Sequence, residues 1–120
     1  MANILIVDDS ATMRQMISLT LTGAGHQVVK AEDGDIALRY VQSQSPDLII
    51  TDVNMPGLNG IDLVRALRQT PLTHNKPILV LTTEHDAAVK AKGRAAGATG
   101  WIVKPFNPDA LLNVLPRVLS

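Results

Sequence analysis

Cysteine is absent from this chain of 120 residues, so no disulfide braces the fold and no thiolate can hold a metal. That suits a reducing compartment. Aromatic residues are almost as scarce, with one Trp, one Tyr and one Phe, too few for the stacking platforms that bind single-stranded nucleic acid. Nor is there an excess of either charge. Eleven basic residues balance eleven acidic ones, which removes the basic footprint of a nucleic-acid binder. No apolar run approaches the roughly 20 residues that span a bilayer. The opening Met1-Ala2-Asn3 has neither the basic stretch nor the apolar segment of a secretory signal. The chain therefore reads as a soluble cytoplasmic domain with no nucleic-acid or membrane partner. Linkers, internal repeats and low-complexity stretches are also missing, so residues 1–120 read as one domain around one core.

What the chain does have is short apolar runs alternating with stretches of helical periodicity. Residues 3–8 predict a first strand. Ser10 then offers an N-cap hydroxyl to a helix whose apolar positions are Met13, Met16, Ile17, Leu19 and Leu21, ended by Gly23 and Gly25. Val28-Val29 marks a second strand, running to about Glu32, and Asp33-Gly34 a turn. Ile36, Ala37, Leu38, Tyr40 and Val41 form the next helical stripe, stopped at Ser45-Pro46. A third strand covers residues 47–51, and its helix starts near Gly60 and breaks before Pro71. Residues 77–82 predict a fourth strand, followed by a helix over residues 86–96. Gly97 and Gly100 lead into a fifth strand. The last helix opens with Asn107 as N-cap, Pro108 in its first position and Asp109 favouring the dipole. Pro116 falls inside that helix, where a missing N–H and a bulky ring should kink or end it. Five βα units with near-continuous apolar strands predict an α/β fold: a parallel sheet covered by five helices on both faces, in the flavodoxin-like order 2-1-3-4-5.

Charges close several of these runs. Asp8 and Asp9 follow Ile4-Leu5-Ile6-Val7, Asp52 follows Leu48-Ile49-Ile50-Thr51, and Lys104 follows Trp101-Ile102-Val103. Charged ends should stay out of the core, and in this strand order they converge on one edge of the sheet. Three crowded carboxylates repel one another, which calls for a cation besides the lysine. An all-oxygen site suits Mg²⁺, or Mn²⁺, better than zinc. Asp9 and Asp52 are the candidate direct ligands, with Asp8 direct or through water and the Asn54 main-chain carbonyl completing the set. His26, His74 and His85 lack ligand spacing and read as surface residues. One carboxylate of such a cluster can also be a phosphoryl acceptor. Asp52, on the central strand, is the choice, with Lys104 and the Thr82 hydroxyl placed to meet phosphoryl oxygens.

Four ordered stretches carry a resemblance: Ile6-Val7-Asp8-Asp9-Ser10, Thr51-Asp52-Val53-Asn54-Met55-Pro56-Gly57, Leu81-Thr82-Thr83-Glu84, and Gly97 through Phe106. Through them the chain resembles response-regulator receiver domains of two-component signalling, most closely the chemotaxis branch. The resemblance implies a phosphorylation-activated switch, not an enzyme beyond catalysing its own phosphorylation and dephosphorylation. Asp52 becomes the phosphoacceptor, Asp8, Asp9 and the Asn54 carbonyl the Mg²⁺ ligands, Thr82 the switch hydroxyl and Lys104 the phosphate-contacting lysine. Trp101 stands where the family has a switch aromatic, and the Lys104-Pro105 peptide is expected to be cis. Asn54 and Glu84 match a fast-cycling pair, whereas Thr83 is larger than the family's usual residue, so these lifetime-tuning positions oppose one another. The implied partners are a sensor histidine kinase, a downstream protein such as the flagellar motor switch, and a phosphatase, with the chain itself a monomer. Two other readings compete: a phosphorelay carrier that passes the group to a histidine-phosphotransfer domain, and a Mg²⁺-dependent aspartate-nucleophile phosphatase. The latter places an Asp-x-Asp-x-Thr pattern after its first strand, which Asp8-Asp9-Ser10-Ala11-Thr12 does not fit.

Overall fold

In the computed structural model, which describes residues 2–83 and 87–119, each apolar run is a strand and each is followed by a helix. The elements are β1 (Asn3–Val7), α1 (Ala11–Gly23), β2 (Gln27–Ala31), α2 (Gly34–Tyr40), β3 (Leu48–Asp52), α3 (Gly60–Arg68), β4 (Ile78–Thr83), α4 (Ala87–Ala96), β5 (Gly100–Lys104) and α5 (Pro108–Leu119). All strand pairs are parallel and the order is β2-β1-β3-β4-β5, the flavodoxin-like arrangement expected. Among the described residues no helix is long and apolar enough to cross a membrane.

The two-residue period of the strands divides the core between the two faces. Leu5, Val7, Ile49, Ile78 and Val80 pack with Ala37, Ile61, Val64 and Leu67 beneath α2, α3 and α4. Ile4, Ile6, Leu48, Ile50, Leu79 and Leu81 pack with Ile17, Leu21, Leu111 and Leu115 beneath α1 and α5. Each such Val, Leu or Ile side chain contributes about 1.5–3 kcal/mol on burial. Every residue of β3 is buried, as suits the central strand.

Polar caps set the helix starts. Ser10 accepts a hydrogen bond from the Met13 N–H, and Asn59 from the Asp62 N–H. Asp33 accepts from the Ile36 N–H, so Asp33-Gly34 is the N-terminus of α2 and not a free turn. At its far end α3 sends Arg68 to the Gly97, Thr73, His74 and Lys76 carbonyls, tying the loop after α3 to the turn after α4. Burial holds the Arg68 guanidinium below its ordinary pKa.

Three expectations need correction. Met16 and Leu19 are 42% and 65% exposed; a helix lying on a sheet buries one stripe, and in α1 that stripe is Ile17 and Leu21. α5 does not end at Pro116 but runs to Leu119. Pro116 is exposed, and buried Leu111 and Leu115 hold the helix to the sheet despite the bond the Leu112 carbonyl lacks. His26 is half-buried, its Nδ1 accepting the Ala2 N–H at 3.2 Å.

Candidate functional site

β1 and β3 are neighbours, with Val7 in register with Thr51, so Asp8, Asp9 and Asp52 leave the sheet at the same edge. One carboxylate oxygen from each lies within 4.8 Å of the others. Alternation along the strands explains the convergence. Asp8 continues the row of Ile4 and Ile6, Asp52 that of Leu48 and Ile50, and Lys104 that of Ile102, all on the α1/α5 face. Lys104 Nζ donates to Asp52 Oδ1 at 2.8 Å. Thr82 is buried and continues the row of Ile78 and Val80 on the opposite face, the face that carries Trp101.

Charged strand ends were expected outside the core. Yet Asp8 is only 1% exposed and Asp52 only 4%; Asp9 alone of the three is exposed. The burial is tolerated because one oxygen of each buried acid is met locally. Asp52 Oδ1 also accepts the Val53 N–H at 2.8 Å, and Asp8 Oδ1 accepts the Ser10 N–H at 2.9 Å. Asp8 Oδ2 is buried with no hydrogen-bond partner among the described residues. Burial pushes the Asp8 carboxyl above its ordinary value, and the charges of Asp52 and Asp9 add to this. The Ser10 N–H and Lys104 oppose the rise without cancelling it. A buried, unmet carboxylate oxygen beside two more carboxylates is the donor set a hard divalent cation takes, so the residues fit Mg²⁺.

Two residues that shape this edge were not read from the sequence as part of the site. The Arg14 guanidinium donates to the Asp8 main-chain carbonyl, while the Asp8 N–H donates to the Ala31 carbonyl at 3.1 Å; together they fix the acid. Its position one turn past the Ser10 cap was the available signal. Gly60, read as a helix start, donates its N–H to the Val53 carbonyl at 2.9 Å. A Cβ there would lie 2.0 Å from the Asp52 carbonyl oxygen, and only the missing side chain lets α3 start under the end of β3.

The remaining residues lie around the same edge. Asn54 is exposed two positions beyond Asp52. Thr83 ends β4 in register with Lys104, and Glu84 lies outside the described residues. The Lys104–Pro105 peptide is cis. Trp101 is half-buried, its indole reaching α4 at Gly93.

Residues 4–116 match the family described as response regulator receiver domain. The chain belongs to this receiver family. It is 51% identical to the Vibrio cholerae chemotaxis protein CheY4, whose structure superposes with a TM-score of 0.94, covering 99% of each chain. It is also 37% identical to Protein PilH of Pseudomonas aeruginosa, over 100% of this chain and 99% of that one. A second similar structure is the receiver domain of the sensor histidine kinase PA1611 from Pseudomonas aeruginosa, with a magnesium ion coordinated in its active site cleft. It is 28% identical, with a TM-score of 0.90, covering 98% of this chain and 97% of that one. Receiver domains are switches of two-component signalling, partnered by sensor histidine kinases, and the acidic cluster of this receiver occupies the sheet edge just described.

The raised Asp8 carboxyl has a consequence for stability. Between its ordinary value of 3.8 and its raised one, the folded receiver binds more protons there than the unfolded chain. The ion-free protein is therefore stabilised through Asp8 at low pH, and loses that stability as pH rises through the raised value. Asp8→Asn should raise ion-free stability at neutral pH by about 1–3 kcal/mol, by removing a buried unmet charge. It should also abolish most of the stabilisation that added Mg²⁺ gives. Urea unfolding in chelator and in excess Mg²⁺ measures both. A variant less stable in chelator, yet stabilised by Mg²⁺ as strongly as the parent, would contradict the assignment.

Proposed function

We propose that this receiver is a phosphorylation-activated signalling switch of chemotaxis, taking a phosphoryl group from a sensor histidine kinase onto Asp52 with Mg²⁺ or Mn²⁺. The observation that carries the reading is the pair at Asp52: Lys104 Nζ at 2.8 Å, and the unmet Asp8 Oδ2 in the same acidic cluster.

In this reading an Asp52 carboxylate oxygen attacks phosphorus, and the P–N bond to the kinase histidine breaks with its electron pair left on the imidazole. Asp8, Asp9 and the Asn54 main-chain carbonyl hold the cation together with Asp52. Bound there, the ion supplies neutralising charge for the phosphoryl oxygens. Lys104 exchanges its contact with the Asp52 carboxylate for one with a phosphoryl oxygen. The Thr82 hydroxyl donates to another, drawing the end of β4 toward the site. Trp101, on the face Thr82 belongs to, follows that shift and alters the α4–β5 surface that a downstream protein reads. Near-complete switching needs a preference of about 5.5 kcal/mol between the two states. Two or three charge-assisted hydrogen bonds at about 1.5–3 kcal/mol each reach that figure. Thr83, Glu84 and Asn54 are the positions assigned here to setting how fast water removes the phosphoryl group. Similarity to CheY4 favours chemotaxis among the pathways such a switch could serve, and a monomer working in the cytoplasm fits that role.

Acetyl phosphate with Mg²⁺, read by intact mass, tests the proposal. The parent protein should gain one phosphoryl group; Asp52→Asn, or the parent in chelator, should gain none. Phosphoryl uptake by Asp52→Asn equal to that of the parent would refute it.

A further inference from the structure

β2 is an edge strand, and Lys30, in the row of Val28, stands on the face that α1 covers. Between α1, the end of β2 and the start of α2 lies a groove of about 610 Å³, a size typical of small-molecule sites. Its lining is of two kinds. Leu19, 65% exposed, and half-buried Ile36 supply apolar surface; Arg14 and Lys30 supply two cations against the single carboxylate of Glu32. Among the described residues no carboxylate oxygen lies within 4.0 Å of either cation. Arg14 uses Nη1 on the Asp8 main-chain carbonyl, and its other nitrogens have no acceptor among the described residues. A lone exposed Leu is ordinary. Here, however, the apolar wall adjoins two cations that the protein leaves uncompensated, and one of them grips the backbone of Asp8.

We propose that this groove binds a small organic phosphate, and that its occupant and the cation of the acidic cluster tighten each other through Arg14. The phosphoryl head meets Arg14 and Lys30, three oxygens serving two donors on different elements. The organic body lies on Leu19 and Ile36, which a bare phosphate would leave uncovered. With Nη1 still on the Asp8 carbonyl, the remaining guanidinium N–H groups donate to the head, so an occupied groove holds the Asp8 backbone more firmly. The head also offsets the charge of Arg14, which opposes a divalent cation nearby. Both effects favour the ion, and linkage requires that the ion favour the ligand by the same factor. The coupling rests on the reading of Asp8 as a ligand of that ion; the groove does not, and the two are measured separately.

The probe is phenylphosphonate, whose P–C bond prevents phosphoryl transfer. In chelator the acidic cluster repels it, so amide shifts read the groove alone. At fixed ionic strength the parent should show saturable shifts at residues 14–19 and 30–36. Lys30→Glu should weaken binding about tenfold, and Glu32→Gln should tighten it about threefold. Inorganic phosphate, which lacks the body, and benzoate, which lacks the phosphoryl head, should each bind several-fold more weakly. Saturating phenylphosphonate should then raise Mg²⁺ affinity about fivefold in the parent, read from the Asp9 and Asp52 amides. Lys30→Glu, altered at an exposed position outside the cluster, should bind Mg²⁺ like the parent and show no such gain. The site is overturned if Lys30→Glu binds the probe as tightly as the parent, if inorganic phosphate or benzoate matches it, or if Lys90, Lys92 and Arg94 on α4 shift equally. The coupling is overturned if the probe binds the groove and leaves Mg²⁺ affinity unchanged, or if the gain persists in Lys30→Glu.

Discussion

Gly60→Ala is expected to destabilise the receiver by about 3 kcal/mol or more and to disable phosphoryl uptake at the same time. Overpacking within side chains usually costs about 1–3 kcal/mol, but here the added carbon meets backbone: the Asp52 carbonyl oxygen at 2.0 Å, its carbon at 2.8 Å and Val53 Cα at 2.8 Å. Neither partner can rotate away. α3 must back off from β3, losing the Gly60 N–H bond to the Val53 carbonyl and disturbing the Asn59 cap on the Asp62 N–H. Asp52 is the residue struck, so its carboxylate moves relative to Asp8 and Lys104. Urea unfolding together with the rate of phosphorylation by acetyl phosphate checks both halves. Parent-like values in the two measurements would show that α3 can shift without the acceptor noticing.

Lys104→Met is expected to separate two roles of one ammonium. Without divalent cation it leaves the Asp52 carboxylate buried with the Val53 N–H as its remaining hydrogen-bond donor among the described residues. Breaking a buried pair in this way costs about 3–5 kcal/mol. The Lys104 side chain is 28% exposed against 6% for Asp52, so solvent already screens the pair, and about 2 kcal/mol is the fitting expectation. Saturating Mg²⁺ should recover much of that loss, because a cation held by the cluster compensates the same charge. Phosphoryl-driven change should not recover, since the lysine would have no substitute at the phosphoryl oxygen. Lys104→Arg should fare little better, its planar fork being a poor replacement for a compact point charge. Unfolding with and without Mg²⁺, and Trp101 emission on adding beryllofluoride, provide the readouts. Full beryllofluoride response in Lys104→Met would remove the lysine from the switch.

Both variants concern contacts between separate elements of the fold, and that separation governs what could be read in advance. The convergence of Asp8, Asp9, Asp52 and Lys104 was legible because it needs only strand periodicity, right-handed crossovers and the places where apolar runs stop. Their depth was not. Asp8 and Asp52 look like solvated strand ends in sequence, and they are buried because the Ser10 and Val53 N–H groups and Lys104 close around them. In α1 the sequence shows Met16, Ile17, Leu19 and Leu21 as equals, and the sheet buries Ile17 and Leu21 while leaving the other two outside. Pro116 was legible as a defect, but whether it ends a helix depends on what holds the flanks, and Leu111 and Leu115 do so here.

The order of residues alone determined the βα alternation, the strand order, the caps at Ser10 and Asn107 and the set of charges brought to one edge, because each follows from local spacing and from the chirality of the chain. Tertiary structure alone decided which oxygen lacks a partner, which glycine touches Asp52 and which receives the Trp101 ring. Those depend on distances of a few ångströms between elements that no local pattern encodes: a glycine reads the same facing solvent as facing an indole.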